Sequence, residues 1–363
     1  MRGLIIKFII FIAAISFAAT GGYLWYKDKS NVSPGSIDIS EGTSVRQVAD
    51  LLEVNGLIKD ADVFYYYIRV KQLYYDLAPW TSKKFEVSFK SGTFKLDSKT
   101  FDSLIAELNK VDNSALDESS NAYITIPEGT TIEQMSNILS EKNIVNKDAF
   151  LRTVNDKDYY SELRKKYLWL PEYNQQKMVQ LEGYLHADTY DFQKNTLPHV
   201  IIEKMLEETN KWYIENKIKI MNSGYTFDQL LTLSSVVEKE SKFSEDRPKV
   251  AQVFYNRLAK GMKLESDITA SYANKEHKVF MTYDDIDTVS PYNTYVTPGL
   301  PIGPINAPSK ESFYATLNPA GKQFKAIYFY ARPNGQTFYA ETFPQHEEYR
   351  KKYEKEWLEL TKK

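Results

Sequence analysis

The first regularity along the chain is an unbroken apolar run. Phe8 to Trp25 reads FIIFIAAISFAATGGYLW without a charge, and about 20 such residues span a hydrocarbon core at ~1.5 Å rise per residue. Arg2 and Lys7 precede it, the mixed Lys27-Asp28-Lys29 follows, and Tyr23, Trp25 and Tyr26 sit at its outer end. Basic residues favour the cytoplasmic side and aromatic rings the interface. The pattern predicts a cytoplasmic tail over 1–7, one membrane-spanning helix over 8–26, a linker over 27–36 and the remaining chain outside. A cleaved signal peptide is the competing reading, but the run is long for one and no clear small-x-small site precedes a mature start.

Beyond residue 36 the pattern becomes a repeat. Residues 37–58, IDISEGTSVRQVADLLEVNGLI, and 124–145, ITIPEGTTIEQMSNILSEKNIV, share I-x-I-x-E-G-T-[ST]-[VI]-x-Q-[VM]. Ile37/Ile39 and Ile124/Ile126 alternate as in short strands. Gly42 and Gly129 mark turns, and Thr43 and Thr130 read as helix N-caps. Val45, Val48, Leu51 and Leu52 then form a helical stripe. Between the copies, Phe85–Phe89 alternates like a strand and Phe101–Leu108 reads as a helix, while 111–121 is a polar surface loop. Such strand–turn–helix units resemble LysM carbohydrate-binding repeats. The expectation is a LysM-like region over 37–155, either sugar-binding or a folded spacer, followed by a separate domain over 156–363.

The most informative stretch is Tyr225–Ser241, YTFDQLLTLSSVVEKES. Thr226 and Gln229 form a capping box. At ~100° per residue, Leu230, Leu233, Val236 and Val237 share one face, and Glu240 continues it. Glu238 points elsewhere and Lys239 to the opposite side. A carboxyl on an apolar face resists ionisation, and a raised pKa is what a general acid needs near neutral pH. The alternative is a helix-end glutamate that reaches solvent or pairs with Arg247. A second helix starts around Ser244–Pro248, buries Val250, Val253, Phe254 and Leu258, and ends at Gly261. The run TPGLPIGPINAP (297–308) is incompatible with regular helix or central strand. Ile327–Ala331 and Gln336–Ala340 read as two strands around Pro333-Asn334-Gly335.

Composition narrows the chemistry. Lys+Arg 46 against Asp+Glu 48 gives a net charge of -2, which excludes a strongly basic nucleic-acid binder. With 0 cysteines, thiolate nucleophiles, Fe–S clusters and Cys-ligated zinc are excluded. His186, His199, His277 and His346 are scattered, with no H-E-x-x-H pair, so no metal site is expected. The 27 tyrosines suit sugar platforms or plain packing equally.

Leu181-Glu182-Gly183-Tyr184, Asp188-Thr189-Tyr190, Val237–Ser241, Asp246–Asp267, Tyr292–Tyr295, Gly299–Ile305 and Asn318-Pro319-Ala320 occur in this order. The series is similar to the endolytic murein transglycosylase family. That resemblance implies an α+β fold class: a single N-terminal transmembrane helix, the LysM-like strand/helix region, then an α+β catalytic domain, held at the cell (inner) membrane and facing outward. It implies a catalytic acid at the second Glu of E-K-E, here Glu240. Substrate-binding groups would be Glu182, Tyr184, Tyr190, Ser241, Asn256, Ser266, Asp267, Tyr292, Asn293 and Tyr295. The partners implied are peptidoglycan glycan strands, with peptidoglycan synthases beyond them; no cofactor, metal or nucleic acid is implied. The expected reaction cleaves between N-acetylmuramic acid and N-acetylglucosamine, leaves 1,6-anhydromuramic ends and terminates nascent strand elongation. The sequence departs from the family pattern at Ala187 and Ile268, each in place of a common Pro, at Glu265 for Gln, and at Gln336 for His. Two rivals remain open. A hydrolytic muramidase would need a second carboxylate from among Glu182, Asp188, Glu265 and Asp267. A membrane-tethered glycan-binding scaffold would need no catalysis at all.

Overall fold

Capping chemistry decides where each copy of the repeat turns from strand to helix. The first copy supplies β1 (Gly35–Ile39) and α1 (Val45–Val54), the second β3 (Asn121–Thr125) and α4 (Ile132–Glu141). The N-caps are Ser44 and Thr131, one residue beyond the expected Thr43 and Thr130. The reason lies three positions on: Gln47 Oε1 accepts from Ser44 N–H at 2.6 Å and Gln134 Oε1 from Thr131 N–H at 2.9 Å. The shared glutamine of the repeat is thus half of a reciprocal capping box.

The computed structural model describes residues 32–39, 43–77, 85, 87, 89–90, 92–109, 121–275 and 281–360. The expected spanning segment 8–26, most of the loop 111–121 and His277 lie outside these residues. Two expectations are corrected. No helix among the described residues is long and apolar enough to cross a membrane, which overturns the single-pass membrane placement. The fold class is a helix-rich mixture of α and β with few strands, which form three two-stranded sheets among the described residues.

The described residues divide into two units: those up to 122 with 143–149 and 193–199, and the remainder. In the first, β1 pairs antiparallel with β2 (Gly92–Leu96), with Ile37 opposite Phe94. Helices α1, α2 (Ala61–Leu77) and α3 (Phe101–Leu108) complete it. Its core joins Ile37, Ile39, Leu52, Phe64, Phe94 and Leu104. Phe85, Val87 and Phe89 pack partly buried against this core but carry no strand assignment. Their alternation records burial rather than ladder hydrogen bonds.

The second unit holds β3, α4 and most of α5 (Lys147–Asn155), then α6 (Lys157–Lys166), β4 (Thr189–Gln193) and α7 (Pro198–Ser223). After these come α8 (Phe227–Glu240), α9 (Arg247–Ala259), α10 (Asp267–Asn274), α11 (Tyr283–Ile286), α12 (Lys310–Leu317), the hairpin β5 (Tyr328–Ala331)–β6 (Thr337–Ala340) and α13 (Phe343–Leu360). β3 pairs with β4, so the two repeat copies share a plan but not a partner.

Helix α8 is the axis of this unit, with every residue from Leu230 to Val237 buried. Leu233, Val236 and Val237 share a core with Val250 and Phe254 of α9 and with Tyr292 and Ile305. The small Ser234 and Ser235 admit neighbours closely. Ser234 Oγ meets Thr316 Oγ1 of α12 at 3.1 Å, and Ser235 Oγ accepts Ile305 N–H at 3.1 Å. Asn306 Nδ2 donates to Ser235 O at 2.8 Å, so the Gly/Pro-rich loop is stitched onto α8 despite having no ladder of its own.

The Leu181–Tyr184 segment passes directly beneath that loop. Gly183 has φ +74°, and a Cβ there would stand 2.2 Å from Pro304 Cβ and 2.7 Å from Asn306 O. Gly261 has φ +66° with nothing near. Gly261→Ala should therefore cost only the left-handed strain, about 1 kcal/mol. Gly183→Ala adds a backbone clash and should cost roughly 3 kcal/mol or more. Urea unfolding of the two variants checks the ranking, and equal losses would contradict it.

Candidate active site

The last turn of α8 sends its two glutamates to opposite sides. Glu238 accepts hydrogen bonds from Ser309 N–H at 2.9 Å, Ser312 Oγ at 2.7 Å, Ser309 Oγ and Arg247 at 3.0 Å. Its charge is fully engaged, and Arg247, the partner considered for Glu240, is taken by Glu238 instead.

Glu240 has a sparser shell. Its Oε1 accepts one hydrogen bond, from Ser266 Oγ at 2.6 Å. Burial of the carboxyl lifts its pKa from the usual carboxylate range to about 7. The Ser266 bond opposes that shift, and the charge of Asp267 adds to it. Glu240 also ends α8, where unpaired carbonyls place the negative pole of the helix dipole and disfavour a further anion. A carboxyl half protonated near neutrality can both give and take a proton.

Ser266 is held for this task. It sits at the N-cap of α10 but makes no side-chain cap bond, because its hydroxyl is turned to Glu240. An N-cap bond is worth about 1 kcal/mol. A small buried ring fixes its backbone instead: Ser266 N–H donates to Thr294 Oγ1 at 3.1 Å, Thr269 Oγ1 donates to Ser266 O at 2.7 Å, and the two threonine hydroxyls meet at 2.7 Å. Thr294 is the unassigned member of Tyr292–Tyr295, and Thr269 lies one turn after Ser266. The sequence reading missed both, although their positions within and beside the motifs were visible.

Asp267 and Tyr295 complete the cluster. Tyr295 Oη donates to Asp267 Oδ1 at 2.5 Å, and its phenol is pushed up by burial first and then by Asp267, with Glu240 and Glu265 adding. Glu265, expected to add negative charge near the cleft, is paired with Arg257, which also donates to Lys263 O at 2.9 Å and Ile327 O at 3.2 Å. The structure thus brings together Glu240, Ser266, Asp267 and Tyr295.

The other candidates stand elsewhere or serve as struts. Tyr184 donates to Asp228 in the first turn of α8, about 18 Å along the axis from Glu240 at ~1.5 Å per residue. Tyr190 donates to His186 O at 2.9 Å and stacks on Phe192. Ser241 donates to Phe243 O at 2.9 Å. Asn256 ties α9 to the strand-leading segment through Phe324 O at 2.8 Å and Ala326 O at 2.9 Å. Asn293 donates to Ile286 O and Thr288 O, both at 2.8 Å. Tyr292 is core, edge-on to Tyr272 at 4.9 Å.

Glu182 is a second buried carboxyl. It accepts from Ile132 N–H at 2.9 Å, at the start of α4, and from Tyr272 Oη at 3.1 Å. Burial raises it to about 7, while Ile132, Tyr272 and Gly183 N–H act against the rise. The departures have quiet surroundings: Ala187 is buried, Ile268 packs on the α8 core, and Gln336 accepts from Arg332 at 2.6 Å.

Both raised carboxyls bind protons more tightly folded than unfolded. Their stabilising contribution is full below the unfolded value of 4.5 and is lost as pH rises through about 7. Urea unfolding at pH 5 and pH 8 should show the loss, and Glu240→Gln should make it smaller. An unchanged or larger loss in the variant would contradict the burial of Glu240.

Residues 37–352 match the model of the YceG-like family. The chain is 30% identical over 330 residues to the endolytic murein transglycosylase of Bacillus subtilis (strain 168), covering 90% of this chain and 86% of that one. It is also 30% identical over 372 residues to an endolytic murein transglycosylase of Streptococcus pneumoniae serotype 2, covering 96% of this chain but 64% of the relative. A crystal structure of a YceG-like protein from Listeria monocytogenes superposes with a TM-score of 0.59 at 28% identity, covering 87% of this chain and 99% of that one.

Proposed function

Since the chain belongs to the YceG-like family, we propose that it is an endolytic lytic transglycosylase that cuts peptidoglycan glycan strands and leaves 1,6-anhydromuramic ends. One observation carries the reading: Glu240, its carboxyl raised to about 7 by burial and met by a single hydroxyl donor that does not cancel the rise. The relatives named above supply the substrate class.

The cycle needs only that carboxyl. Protonated Glu240 gives its proton to the glycosidic oxygen as the bond from muramic acid C1 breaks, and the N-acetylglucosamine side leaves as an alcohol. The carboxylate then takes the proton of the muramic acid 6-hydroxyl as that oxygen bonds to C1. The proton count on Glu240 returns to its start and no water is consumed. Intramolecular attack replaces a second protein nucleophile through effective concentration. Ser266 orients the acid and the Asp267–Tyr295 pair borders it. Catalysis is assigned to residues 156–363. Cutting within a strand shortens it, so the activity suits the termination of elongation by peptidoglycan synthases.

Asp267 supports a second reading. Of the four carboxylates weighed for a hydrolytic muramidase, it is the one that acts on Glu240 electrostatically, and it is exposed. If Asp267 activated a water, the new ends would be reducing sugars, heavier than the anhydro ends by one water. Mass analysis of products from purified strands separates the two.

Glu240→Gln keeps shape but cannot supply a proton, so strand cleavage should fall by at least ~10²–10⁴-fold with the fold intact. Glu238→Gln should lower thermal stability more than turnover, because Glu238 ties α8 to Ser309, Ser312 and Arg247. A Glu240→Gln variant that still cleaves strands would place the acid at another residue, and a wild type that binds strands without cutting them would leave the non-catalytic glycan-binding scaffold as the better account.

Activity should decline as pH rises through about 7, where the acid form disappears. Ser266→Ala removes the bond that favours the anion, so the alkaline limb should move upward. A downward move in the pH–rate profile would contradict the role given to Ser266.

A further inference from the structure

The second E-G-T turn is docked against the end of α8. Gly129 N–H donates to Ala307 O at 2.7 Å and Ala307 N–H returns to Thr130 O at 3.0 Å. Gly129 has φ +71°, and a Cβ there would lie 2.9 Å from Lys239 Nζ and 3.6 Å from Glu238 Cγ. Beside this contact is a cleft of about 460 Å³, lined by Glu128, Gly129, Thr130, Gln134, Asn137, Ile138 and Lys239. Its volume lies within the range of small-ligand sites. Nothing in the strand-cleavage mechanism uses it.

Its chemistry is specific. Half-buried Ile138 gives an apolar patch, and the amides of Gln134 and Asn137 stand on the same stretch of α4. The exposed Lys239 ammonium has no carboxylate partner among the described residues. Glu128 is raised by burial first and then by Glu238, Glu311 and Asp188, with Arg247 opposing; Lys239 is not among the charges acting on it. One cation and one anion therefore flank amide groups without neutralising each other. A zwitterionic peptide offers the matching set: a carboxylate, an ammonium and backbone amides between them.

Position fits as well. Lys239 precedes Glu240 but turns about 100° from it, toward Glu238 and the E-G-T turn, and an extended peptide of four residues, at ~3.3 Å per residue, covers ~13 Å, enough to round a helix about 10 Å across. We propose that this cleft receives the short peptide carried on the lactyl group of muramic acid, with Lys239 on its carboxylate and Glu128 toward its amine. The proposal rests on the peptidoglycan reading above and names the part of the strand recognised beside the cleaved bond.

The test compares intact strands with strands stripped of peptide by an amidase. Lys239→Gln should lower kcat/KM on intact strands about threefold to tenfold, as loss of one exposed ion pair allows. Stripped strands should be cut as by the wild type, and Lys239→Glu should worsen only the intact substrate. Calorimetry with the free tetrapeptide L-Ala-γ-D-Glu-L-Lys-D-Ala reads the cleft without turnover: the wild type should give saturable heat and Lys239→Gln should lose it. Equal loss on both substrates, no change on either, or no saturable heat with the wild type would overturn the proposal. Absence of cleavage by the wild type would instead overturn the transglycosylase reading and leave the calorimetry to decide this one.

Discussion

A carboxyl that is half-buried and desolvated yet not neutralised by a cation is the constraint around which the second unit is arranged. Glu240 stands at the carbonyl end of α8 with one hydroxyl donor and no basic partner. Two arginines of the same unit are engaged elsewhere, Arg247 with Glu238 and Arg257 with Glu265, and Lys239 turns away around the helix. A cation at Glu240 would favour the anion and remove the acid near neutrality. The packing of α9, α12 and the 297–308 loop on α8 leaves this carboxyl half-buried at the end of the helix. Ser266 leaves its own helix uncapped to reach it.

The division of labour between Glu238 and Glu240 follows from helix geometry. Two positions apart, they point about 160° from each other. One becomes the anchor for Ser309, Ser312 and Arg247, and the other is left nearly alone. Glu182 shows that burial alone does not mark a catalytic acid. It has a similarly raised pKa, but backbone N–H groups and Tyr272 fix it to the start of α4.

Much of this was legible in the chain. The Leu230/Leu233/Val236/Val237 stripe and the Thr226–Gln229 box located α8 and the side that Glu240 takes, because helix periodicity is local. The hairpin around Gly335 and the end of α9 at Gly261 were legible for the same reason. What the sequence could not reveal was long-range. The Ser309 and Ser312 partners of Glu238, the Thr269–Thr294 hydroxyl contact and the strut role of Asn256 depend on segments tens of residues away, while the Arg257–Glu265 pair and the bonds of Asn293 close irregular loops that carry no periodicity. The caps of the repeat slipped by one residue because Gln47 and Gln134 outweigh the Thr after each glycine. The membrane expectation rested on residues 8–26, and no described helix meets it.

The central claim is that Glu240 is a carboxyl acid near neutral pH because of where the fold puts it. Carbon-13 NMR titration of the full chain, with the Glu240 signal assigned by its loss in Glu240→Gln, measures this directly. A midpoint near 7 is the expected result. A midpoint near 4.5, the value of an ordinary glutamate, would contradict the account.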